Sequence, residues 1–213
     1  MDPSILGDIS KPDFDRQKYI KQIQRDEVLR NLLIEQMISN KNIMVYYHCY
    51  EIISEASYIK PELFYPHWRS FYRLLNHKNS YHRDIGLTII ANLSKVDTQN
   101  LTDAIIGKYM QHIRDAKFMT ASCCIRNCSK IMLNKPDLMK KIIPYLINIE
   151  NDTIFPPKQQ DYLIGDIIKA FDVVFDQYEN RTELIGFIEG HTRTRSPKTN
   201  QLAKEFLLRH GNQ

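Results

Sequence analysis

The chain has 213 residues, 43% hydrophobic and 25% charged, the balance of an ordinary folded protein long enough to bury a substantial core. Its 29 basic and 25 acidic residues leave a formal charge of +4, an excess too small to argue nucleic-acid binding without a local basic patch. Only seven glycines occur, which argues against a turn-rich β architecture and for helices.

The opening stretch MDPSILGDISKPDFD places acids early and has no basic region followed by an apolar run, so no secretory signal is expected. No segment reaches the ~20 apolar residues of a membrane span, and no membrane partner is expected. Without an export signal, the four cysteines are expected to be reduced thiols in a cytoplasmic protein.

Residues 1–16 read as an N-terminal extension. Beyond it, apolar residues recur at three- and four-residue spacing in five successive helix pairs, spanning 24–58, 61–97, 100–134, 136–178 and 181–210, the first helix of pair two being PELFYPHWRSFYRLLN, residues 61–76. Prolines punctuate the pairs at Lys60-Pro61, Lys135-Pro136, Phe155-Pro156-Pro157 and Ser196-Pro197, where a missing N–H at a helix start does no harm. Ser196 is placed to cap the last helix. No linker or low-complexity tract interrupts the chain, so 1–213 reads as one all-α domain.

Gly86 sits inside the apolar helix SYHRDIGLTIIANLSK, where glycine costs about 1 kcal/mol against alanine. Superposing the second helices of the pairs sets Cys49, Gly86, Cys124, Gly165 and Ala203 at one position, separated by 37, 38, 41 and 38 residues. All five are small, as helices packed at close range require where their ridges cross. Gly86 is therefore expected to be a packing residue.

The stretch HKNSYHRDIGLTIIANL, His77 to Leu93, resembles the second half of a HEAT repeat: a polar turn, an arginine (Arg83) three residues before a small residue (Gly86), then an apolar helix. The arginine position holds Tyr46, Ala121, Tyr162 and Asn200 in the other pairs. The resemblance, extending over residues 24–210, implies a right-handed α-α superhelix of about five HEAT-like pairs. In that family the second helices build a concave surface that usually binds a partner.

On that surface the second helix of pair two would present Asp84, Thr88 and Asn92. The same register gives Tyr47, Glu51 and Glu55 in pair one. It gives Ser122, Arg126 and Lys130 in pair three, and Gln201, Glu205 and Arg209 in pair five. In pair four it gives Leu163, Ile167 and Phe171, so either the register slips there or an apolar patch is exposed. Polar stripes are also simply solvated helix faces; their stacking over several repeats is what argues binding.

Few residues suggest chemistry. Cys124 and Cys128 share a helix face beside Cys123, but tetrahedral zinc needs four ligands, and cysteine also packs as a small hydrophobe. His77 and His82 flank a turn without a nameable third ligand, and Asp172 and Asp176 lie one turn apart with Lys169 near them, where a solvated helix face explains them. No metal and no cofactor is expected. Arg193, Arg195 and Lys198 surround the predicted helix start at Ser196-Pro197 and form a candidate anion site. Trp68, the only tryptophan, lies among Arg69, Phe71, Tyr72 and Arg73; such interleaving suits nucleic-acid stacking, while helical spacing also places the aromatics in a core.

The expected function is non-enzymatic: a scaffold binding a protein or peptide on the concave surface. The alternative is a DNA-binding or DNA-repair protein, since some HEAT-like proteins are alkylpurine DNA glycosylases. Their clefts are basic and lined by tryptophan, whereas Glu51 and Glu55 are acidic here.

Overall fold

In the computed structural model, which describes residues 3–211, the chain is helical, with no strand among the described residues. Met1 and Asp2, the start of the predicted extension, lie outside them. No described helix is long and apolar enough to cross a membrane. The chain forms two compact units, Met1–Val96 and Asp97–Gln213.

The first unit contains α1 (Pro3–Ile9), α2 (Arg16–Ile23), α3 (Glu27–Ser39), α4 (Ile43–Ile59), α5 (Trp68–Leu74) and α6 (Ser80–Leu93). Short polar side chains start these helices by accepting orphan N–H groups: Asp15 from Lys18, Asp26 from Leu29, Asn42 from Met44 and Asn79 from Tyr81. The stretch 61–76, expected as one helix, is not continuous. Pro61 and Pro66 enter two short 3-10 turns, Pro61–Leu63 and Tyr65–His67, and only the seven residues of α5 remain α-helical. Proline supplies no N–H and restricts the residue before it.

Helices α2, α4 and α6 pack side by side, with α3 against α4 and α5 against α6. Polar bonds fix the register. Gln17 Nε2 donates to Glu55, Tyr50 O–H to Thr88, and Asn92 Nδ2 to the Ser54 carbonyl, each across 38 residues. Within the predicted extension Ile9 is fully enclosed, and just beyond it α2 buries Tyr19, Ile20 and Ile23. The Ile9 carbonyl accepts from His48 Nδ1, on whose ring Phe14 stacks at 4.2 Å. Trp68 is buried and stacks on Tyr72, so it belongs to the core; Arg69 and Arg73 are exposed.

Gly86 packs against α5. A Cβ there would lie 3.0 Å from both Leu74 Cβ and the Phe71 carbonyl oxygen. The equivalent Cys49, Cys124 and Ala203 are fully buried, and a Cβ on Gly165 would meet Thr199 Oγ1 at 2.9 Å.

The second unit contains α7 (Leu101–Met110), α8 (Phe118–Asn134), α9 (Met139–Ile147), α10 (Ile149–Asp152), α11 (Pro157–Val174), α12 (Arg181–Gly190) and α13 (Pro197–His210). Helices α8, α11 and α13 pack side by side, and α7 packs on α9. Ser196 caps α13 by accepting from the Thr199 N–H, as its position predicts. The step from α11 to α13 is again 38 residues, Thr199 Oγ1 donating to the Asp161 carbonyl. The step from α8 to α11 is 44, Ser122 Oγ donating to Asp166. Helix α10 and the loop after it take up the difference. That longer step resolves the ambiguity of pair four. Leu163, Ile167 and Phe171 are fully buried, and the solvent stripe of α11 falls on Tyr162, Asp166 and Lys169.

All four cysteines are free and buried. Burial pushes the Cys49 thiol up to about 12 and holds Cys124 well above its ordinary value. Thiolate is the reactive form, so a chromogenic disulfide reagent at mildly alkaline pH is expected to label essentially none of them in the folded protein and all four in denaturant. Rapid labelling of even one thiol under native conditions would contradict this packing.

His82 is buried, with its ring 4.2 Å from His77 and 5.0 Å from Tyr46. Burial, aided by the His77 charge, holds its pKa below the ordinary histidine value; burial does the same for His67. The unfolded chain therefore takes up these protons first, so stability falls as pH drops through the ordinary histidine value and levels off below the folded one. The His82→Gln variant is expected to lose less stability than the parent between neutral pH and about pH 5, measured as the shift in urea midpoint. An equal loss in both proteins would remove His82 from this account.

Candidate functional site

The side-by-side helices α8, α11 and α13 enclose a cleft of about 240 Å³. Its apolar wall is Phe118, Met119 and Leu202; Tyr162 stands at its edge, and its polar groups are Ser122, Asp166, Lys169 and Lys198. Met119 is 59% and Tyr162 45% exposed, well beyond what either needs for packing. Asp166 is held from within: Oδ2 accepts from Ser122 Oγ at 2.6 Å, while Oδ1 is 3.8 Å from Lys169 Nζ. One carboxylate and two ammonium groups thus line the cleft, which carries a positive excess. Its volume is below the range of about 300–1,000 Å³ usual for small-molecule sites and suits one large side chain.

Of the predicted anion site, only Lys198 reaches this cleft. Arg193 and Arg195 are exposed on the connection before α13. The backbone there already has a carboxylate: the Arg195 N–H donates to buried Asp161 Oδ2 at 2.7 Å. Asn200 closes the same turn, accepting from the Thr194 N–H and donating to its carbonyl.

The remaining predicted positions divide by environment. Tyr47 is exposed beside His48 and Tyr50. Glu51 and Glu55 already face a cation: Arg16 at the start of α2 lies 3.6 Å from Glu51 and 3.5 Å from Glu55. Thr88 and Asn92 are buried in the seam between α4 and α6, where Asn92 also donates to Ser57 Oγ at 3.0 Å; Asp84 is half-buried. Their role there is to lock two helices in register. In the second unit Arg126 is exposed, and burial holds the Lys130 ammonium below its ordinary pKa. Glu205 accepts from Gln201, and Arg209 joins His210 on Asp172 at 2.8 and 3.0 Å, tying the end of α13 to α11.

Sequence reasoning missed Met119, Tyr162, Asp166 and Lys169. The last three are spaced i, i+4, i+7, a signal visible once the repeat step is lengthened. Among the described residues no cluster of His, Cys, Asp and Glu could hold a metal ion. Comparison of the chain with protein-family models, curated proteins and solved structures finds no match.

Proposed function

We propose that the protein is a non-enzymatic binding module that holds a segment of another protein on the face formed by its second helices. The cleft across α8, α11 and α13 carries this reading: an exposed methionine and tyrosine flank a space sized for one side chain, with two lysines at its rim. A partner segment placing a large apolar side chain beside a carboxylate matches it. Burying Met119 and Tyr162 under such a segment is worth about 2 kcal/mol each. The right-handed HEAT-like superhelix belongs to the same proposal. It is supported by the side-by-side packing within each unit and by the recurring 38-residue step.

Affinity capture from lysate, with nuclease added, tests the reading. The wild type is expected to recover a stoichiometric protein partner, and Met119→Ala/Tyr162→Ala and Lys198→Glu are each expected to reduce recovery about tenfold. Recovery that vanishes with nuclease would transfer the reading to nucleic acid. Recovery indifferent to all three substitutions would remove the cleft from it.

A further inference from the structure

A second surface lies in the first unit, among α1, α2 and α3. Two concavities of about 650 and 450 Å³ share Ile5, Asp26 and Leu29 as lining residues and so form one groove. One side is basic and polar. Lys18, Gln22 and Arg25 stand at i, i+4 and i+7 along α2 and the turn that continues it, where the Arg25 N–H donates to the Gln22 carbonyl at 2.9 Å. The other side is apolar, with Val28, Leu29 and Leu32 on α3 and Ile5 on α1. Val28 is 81% exposed, an extreme value for a branched aliphatic residue.

The acids of the groove are largely committed. Asp8 accepts from both Lys11 and Tyr19 O–H, and Asp26 accepts from the Leu29 N–H; Glu35 lies at the apolar end. Lys18 rests its ammonium 5.2 Å from the Tyr19 ring centre, and Arg25 makes no ion pair among the described residues. Two cations and an amide therefore stand in a row about 10 Å long, two helical turns at 1.5 Å per residue, in the same groove as the apolar residues of α3.

We propose that this groove docks an acidic amphipathic helix of a partner protein. Its carboxylates, spaced i, i+4, i+7, would meet Lys18, Gln22 and Arg25, and its apolar face would cover Val28, Leu29 and Leu32. The row of donors favours this occupant over a single-headed amphiphile, which would need its cations gathered at one point. The apolar residues of α3 disfavour a nucleic-acid backbone, which brings no apolar face to cover them. The inference is independent of the cleft in the second unit.

The probe is a fluorescein-labelled, amidated helical peptide with glutamates at i, i+4, i+7 and leucines on the adjoining face; its control has glutamine at those three positions. Fluorescence anisotropy of the full-length protein is expected to show binding of the acidic peptide that weakens as salt rises. The glutamine peptide, Lys18→Glu, Arg25→Glu and Val28→Asp are each expected to weaken it about tenfold or more. These residues are exposed, and unchanged circular dichroism and Trp68 emission check that the variants fold. Absence of binding, equal binding of the glutamine peptide, or indifference to all three substitutions would overturn the proposal. Two further results would do the same. One is a self-association in sedimentation velocity that Val28→Asp abolishes, which would assign the groove to a second copy. The other is a DNA duplex that binds more tightly than the peptide and loses affinity in Lys18→Glu.

Discussion

Asp97→Ala is expected to destabilise the protein by about 3 kcal/mol. The Asp97 carboxylate is fully enclosed and accepts from two N–H groups at the start of α7, Leu101 at 2.9 Å and Thr102 at 2.8 Å. Lys135, just past the end of α8, reaches back to the same place. Its ammonium lies 3.4 Å from Asp97, 2.8 Å from Asp103 and 2.7 Å from Asn100 Oδ1. Asn100 itself has φ of 54°, a left-handed conformation that asparagine tolerates better than most residues. The network therefore joins the start of one helix to the end of the next through a loop with little freedom to adjust. Alanine at 97 leaves two helix N–H groups uncapped and a mostly buried ammonium with one carboxylate fewer. Lys135→Met keeps the packing of the stem and is expected to cost less, about 2 kcal/mol. Urea unfolding followed by far-ultraviolet circular dichroism checks both; a loss for Asp97→Ala no larger than the about 1 kcal/mol of a typical lost cap would mean that the network contributes no more than a cap.

The Lys135 charge has a pH signature of its own. Burial alone would lower its pKa, but the hydrogen bond to Asp103 and the charges of Asp97 and Asp103 outweigh burial and raise it above the ordinary lysine value. A raised folded pKa means that its contribution is fully present at neutral pH and is lost only as pH rises beyond the ordinary value through the folded one.

Gly86→Leu is expected to cost about 3 kcal/mol, and Gly86→Ala about 1–2 kcal/mol, because overpacking outweighs the gain in helix propensity. The obstacles to a side chain there are a backbone carbonyl and a Cβ atom at 3.0 Å, neither of which can swing aside. Gly107 in α7 is the control. It is exposed, and nothing lies within 4 Å of a Cβ built on it. Gly107→Ala is therefore expected to stabilise by about 0.5–1 kcal/mol. Two identical substitutions in helices should thus shift the unfolding midpoint in opposite directions; shifts of the same sign would show that Gly86 is kept for another reason than packing.

The contrast between these glycines shows where the sequence was legible. The superposition that placed Gly86 with Cys49, Cys124, Gly165 and Ala203 identified positions that are all buried, because close helix packing leaves a one-residue mark in the chain. The helix starts were equally readable at Ser196, whose side chain acts on its own neighbours. The stretch 61–76 was misread because apolar spacing outweighed Pro61 and Pro66, although a missing N–H is a local and certain obstacle. Residues 1–16 were set aside as an extension because Ile9 and Phe14 show no period by themselves. Their partners lie outside the segment, His48 on α4 for both and Tyr19 on α2 for Phe14.

The candidate site was the least legible part. Asp84, Thr88 and Asn92 form a polar stripe whether they face solvent or another helix; the bonds from Tyr50 and to Ser54 decide in favour of the seam for Thr88 and Asn92. In the second unit Ser122 meets Asp166 across 44 residues, where the superposed small residues imply 41, and the exposed stripe of α11 runs through Tyr162, Asp166 and Lys169 instead of the buried Leu163, Ile167 and Phe171. By itself the sequence determined that this chain is helical, where its last helix begins, and which small residues let helices approach. Those properties rest on interactions within a few residues of each other. Only the tertiary structure decided which polar groups meet across 38 or 44 residues, and so which are spent on holding helices together and which remain open to a partner, because burial depends on neighbours that local spacing does not specify.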